Sequence, residues 1–193
     1  MVLQDILTFF TDSTGIGVAL LLVGSFLLET LLLIQQNLSH ALNGFGKAEG
    51  DITTEVRNYA RKAITFASIT FAAVTFVLAQ FGNELALVRD TLFLFVFGLA
   101  LFLVSYKIQV FGATKRIYWS LQQRLFNYGI LALVFGLFLF FYEVFPEYWI
   151  PVGVMVTVVA LLHVNEYKHD YRNFGRMENS DEDNQMQLQD YLE

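Results

Sequence analysis

The sequence predicts an all-α protein: a polytopic membrane helix bundle with five transmembrane helices, N-terminus outside and C-terminus inside. Three observations lead there. Of 193 residues, 55% are hydrophobic and 16% charged, with mean hydropathy +0.50, too apolar for a soluble domain of this length. Five stretches hold the roughly 20 mostly apolar residues that cross a hydrocarbon core of about 30 Å. Lys and Arg crowd into alternate connections, the pattern of cytoplasmic loops. The Phe-rich stretches, LFLFVFGLALFLV and LALVFGLFLFF, show no two-residue alternation of polar and apolar side chains, which argues against a membrane β-barrel.

Residues 1–14 form a short interfacial segment. VLQDILTFF sets Val2, Leu3, Ile6, Leu7 and Phe10 at helical spacing, and Asp12 or Ser13 in the following TDST offers an N-cap. The bundle occupies residues 15–176. Its first span runs from Ile16 to Leu38, and because no basic segment precedes it, it is expected to act as an uncleaved signal. NGFGKAEGD then breaks the chain with glycines 44, 46 and 50 before a helix starting near Asp51. It matches neither phosphate-loop spacing and has no Ser or Thr after its lysine, so it reads as a linker.

The second span is Lys62 to Phe81, the third Thr91 to Gln109, the fourth Tyr128 to Phe145 and the fifth Trp149 to Tyr167. Lys47, Arg57, Arg61 and Lys62 mark the first connection as inside, and Lys107, Lys115, Arg116 and Arg124 the third. The second carries only Arg89 and the fourth none, while Lys168, Arg172 and Arg176 follow the fifth span. In KRIYWSLQQRLF the basic residues interleave with Tyr118, Trp119, Leu121, Leu125 and Phe126, as expected of a segment anchored on an anionic leaflet. FYEVFPEYWIP, with both prolines, reads as a tight outer turn with an aromatic belt. Residues 177–193 form an acidic, disordered tail whose carboxylates offset the basic excess of the inner side.

Several function classes lose support at this point. Cysteine is absent, which removes thiolate catalysis and thiolate metal sites. A net charge of -6 and a pI near 5.0 argue against a nucleic-acid partner. Glu166-x-x-His169 is half of a di-iron carboxylate pattern whose second half is missing, and no G-x-S-x-G occurs. No catalytic residue, metal or cofactor is expected.

Glu29 is the residue that asks for an explanation. It stands among leucines in GSFLLETLLLIQQN, about 20 Å from the outer end of its span. An ionised carboxylate there costs at least ~2.5 kcal/mol unless it is partnered or protonated. His163, on the parallel fifth span, lies at matching depth, and Thr30, Ser68, Ser105, Tyr106 and Asn165 fall in the same inner half. They form a candidate intramembrane polar or ion site. Two readings stay open. In the first these residues are interhelical glue, assisted by small residues spaced by seven (Gly17 with Gly24, Gly129 with Gly136, Gly153 with Ala160), in a non-catalytic component of the cell membrane. Beyond the lipid bilayer, such a component binds a protein partner or itself as a homo-oligomer. In the second, Glu29 and His163 conduct protons or cations.

Overall fold

The computed structural model describes residues 14–36, 50–112 and 116–162, and all of them except Phe145 are helical. In chain order the helices are α1 (Thr14–Gln36), α2 (Gly50–Phe81), α3 (Leu85–Gly112), α4 (Arg116–Val144) and α5 (149–162). Three stretches are long and apolar enough to cross a membrane: Thr14–Leu32, Thr54–Phe111 and Tyr118–Val144. The expected interfacial segment falls almost wholly outside the described residues, and the expected acidic tail and the inner end of the fifth span lie outside them.

The second of these stretches is 58 residues long, far more than one crossing needs, and it contains a turn. A single 3-10 turn at Gly82–Glu84 divides it, and α2 then packs back along α3. Near the turn Val77, Val88 and Phe95 share one apolar cluster. Far from it Ala63 and Ala67 meet Phe102 and Phe126. Such pairing at both ends makes the two helices antiparallel.

Burial follows helical periodicity closely. On α2 the buried positions are Val56, Ala60, Ala63, Ala67, Thr70 and Val77, recurring every three or four residues along one face. Glu55, Arg57, Arg61 and Lys62 occupy the exposed side of the same turns, with the Lys62 ammonium 5.1 Å from the centre of the Tyr59 ring. The buried face of α3 holds Val88, Thr91, Phe95, Phe102 and Ser105. It lies against α4 so closely that a methyl group added to Gly129 or Gly136 would meet the rings of Phe102 and Phe95, each at 2.7 Å. The two glycines are the seats of those two rings. Gly17 and Gly24, spaced the same way on α1, face open space instead.

α1 runs parallel to α3. Its first turn lies on Asp90, Ala19 joins Leu94 and Leu139, and Phe26 meets Tyr128 edge-on with ring centres 5.6 Å apart. Most of its leucines, among them Leu21, Leu28 and Leu31, point outward.

One expectation is corrected here. KRIYWSLQQRLF is not a loop: from Arg116 onward it is the start of α4, and Gln122, Leu125 and Phe126 are buried. A charge ends an apolar window, but it does not end a helix when its side chain finds a partner. The α4–α5 connection is the expected tight turn, with Pro146 opening a 3-10 turn, Pro146–Tyr148, closed by a 3.0 Å bond from the Tyr148 amide to the Phe145 carbonyl.

The chain divides into two units, Met1–Val152 and Gly153–Glu193. In the second, residues 153–162 are helical, and the Thr157 hydroxyl donates to the Gly153 carbonyl at 2.8 Å. The apolar helix Pro146–Leu162 is shorter than the three long stretches.

Candidate functional site

Apart from Thr70, the buried polar side chains described in the first unit gather in two layers, one toward each end of α1. At the Glu29 end, the carboxylate lies 4.0 Å from the Arg124 guanidinium, linking α1 to α4. Glu29 lies in the C-terminal half of α1, seven residues before its last residue, Gln36. Arg124 is the partner that hydropathy assigns to a loop.

Beside this pair, Gln122 joins three helices. Its side-chain amide donates to the Val56 carbonyl of α2 at 3.2 Å, while its backbone carbonyl accepts the Ser105 hydroxyl of α3 at 2.8 Å. Gln122 is fully buried, and its Oε1 has no hydrogen-bond partner among the described residues. Gln123 donates to the Tyr59 hydroxyl at 2.9 Å, making a second tie between α4 and α2.

Among the residues singled out from sequence, Glu29 and Ser105 enter this layer, and Tyr106 packs beside it against the cluster of Ala63, Phe102 and Phe126. Thr30 turns back on its own helix, donating to the Phe26 carbonyl at 2.7 Å. Ser68 is exposed on α2 and bonds the Ile64 carbonyl, on the side away from the buried stripe. His163 and Asn165 lie outside the described residues.

The other layer had no candidate in the sequence reading. Asp90, 8% exposed, accepts the Gly15 amide at 3.0 Å and has the Arg89 side chain 3.4 Å away. The fully buried Thr91 donates to the Glu143 carboxylate at 3.1 Å, joining α3 to α4. Signals for both pairs exist: Gly15 opens an apolar run, and Asp90-Thr91 and Glu143 sit at the same end of adjacent spans. Neither signal is specific.

Between the layers the interior is apolar except at Thr70, fully buried on α2, whose hydroxyl donates to the Phe66 carbonyl at 2.7 Å. Leu94, Phe95, Phe102 and Ala132 are fully buried or nearly so, and the ring of Phe102 packs against Phe66 and Phe126 at 5.6 and 5.7 Å between centres. Chemically, each layer can hold helices together; among the described residues no three His, Asp or Glu side chains gather as a metal site would require. Searches of protein-family models, curated proteins and solved structures find no match to the chain.

Proposed function

We propose that this is a five-span protein of the cell membrane, N-terminus outside, that acts without catalysis as a partner-binding or oligomeric component. The observation that carries this reading is the apolar seal of Phe95 and Phe102 on Gly136 and Gly129, which separates the two polar layers. A conduction path needs polar groups or water along its length, and between Glu29 and Asp90 the fully buried side chains offer one polar group, the Thr70 hydroxyl, which is already bonded to the Phe66 carbonyl of its own helix. The alternation of basic residues between connections supports the orientation. The relative directions of α1 to α4, each antiparallel to the next in space along the α2–α3–α4 series, are compatible with it. Surface supports the partner: α1 turns most of its apolar side chains, and two glycines with open space above them, away from its own bundle.

The competing reading, a small proton or cation conductor built on Glu29 and His163, draws on one feature. The Glu29 side chain keeps 28% of its surface exposed, so it is within reach of water or another side chain. Native mass spectrometry of the full chain extracted in lipid nanodiscs separates the proposals. A stoichiometric complex, with another protein or with itself, is the expected result. A monomer that carries flux when reconstituted alone would overturn it.

A further inference from the structure

The first turn of α1 is attached in an unusual way. A helix begins with backbone amides that have no partner within the helix, and here the Gly15 amide is satisfied from outside, by a carboxylate 75 residues away on another helix. The same place shows the tightest backbone approach of α1: a Cβ on Gly15 would stand 2.7 Å from the Asp90 carbonyl oxygen and 2.9 Å from its Cα. Only glycine lets the two backbones meet there. Asp90 is itself buried, with Arg89 as its charged neighbour and the Thr91–Glu143 pair one residue on.

Among the described residues of α1, three apolar side chains are buried, Ile16, Ala19 and Leu22, while Val18 and Phe26 pack on the bundle partly buried. At its far end the Glu29–Arg124 contact is long, at 4.0 Å, beside the Phe26–Tyr128 ring pair.

We infer that Gly15 and Asp90 form a latch that seats α1 as a releasable helix, and that without it α1 swings from α3 and α4 about the Phe26–Tyr128 contact. The latch is an amide and a carboxylate brought together by a missing side chain. It sets where α1 lies, and the α2–α3–α4 core stands without it. The inference does not depend on whether the protein binds a partner, but it gives such a partner a moving part to act on.

The natural absence of cysteine makes the test direct. Spin labels are placed at the exposed positions Leu20 of α1 and Val96 of α3, and in a second protein at Phe76 of α2 and Val96; distances are measured by pulsed electron resonance in nanodiscs. In D90A and in G15A the Leu20–Val96 pair should gain a longer population, about fivefold over wild type, the shift that loss of a helix cap brings. D90N, which keeps an oxygen able to accept the Gly15 amide, should retain the wild-type distance. The Phe76–Val96 distance should be unchanged in all three. An unchanged Leu20–Val96 distance in both D90A and G15A overturns the latch. Equal broadening of the Phe76–Val96 pair overturns it too, since Asp90 would then hold the core and not α1.

Discussion

The α3–α4 contact and the seat of α1 solve the same problem by different means. Between α3 and α4, aromatic rings drop onto glycines: Phe102 on Gly129 and Phe95 on Gly136. More than half of the apolar stretch in α4 is buried, 56%, against 22% for that of α1. In a bilayer, apolar area alone does not drive helices together, because lipid is as apolar as leucine; close packing and polar contacts must do so. The α3–α4 pair seats rings on glycines all along its length, with the Thr91–Glu143 and Ser105–Gln122 bonds at its ends, whereas α1 buries only Ile16, Ala19 and Leu22 between its contacts to Asp90 and Arg124.

Four measurements break or sharpen that contrast, each read as a change in unfolding free energy in nanodiscs. Phe102→Ala should cost the most, about 3 kcal/mol, because it empties the space between Gly129, Phe66 and Phe126 that nothing can readily fill. Gln122→Leu should raise stability by about 1 kcal/mol. It gives up one hydrogen bond to Val56 but removes a buried Oε1 with no partner among the described residues. The coupling between Glu29 and Arg124, measured with the two single mutants and the double, should be about 0.5 kcal/mol, as expected for a long and partly exposed pair. Ser68→Ala should change stability by less than about 0.5 kcal/mol, since its hydroxyl serves only its own helix on the exposed side. A coupling of several kcal/mol for Glu29 and Arg124 would place α1 within the core and erase the distinction.

The helices were legible in the sequence because apolar length is a property of short windows. Gly129 and Gly136 were legible for the same reason, as small residues two turns apart on one face. The equally spaced Gly17 and Gly24 were not distinguishable from them, because spacing does not say which face of a helix meets a neighbour. The partner of Glu29 was out of reach in another way. Arg124 lies in a segment whose charges and rings read as a surface anchor, and only its pairing across α1 and α4 reveals a helix that continues through it. Asp90 escaped notice since a carboxylate beside an apolar run looks like a loop residue until the amide it caps is known. Local pattern thus carries the elements, while polar contacts between elements are set by the tertiary arrangement.

The most direct test of the sealed interior is proton and potassium flux through the purified protein in liposomes, with wild type beside Glu29→Gln. Flux no greater than that of empty liposomes in both proteins is the predicted result. Flux through wild type that Glu29→Gln abolishes would contradict it and would make Glu29 part of a conducting path.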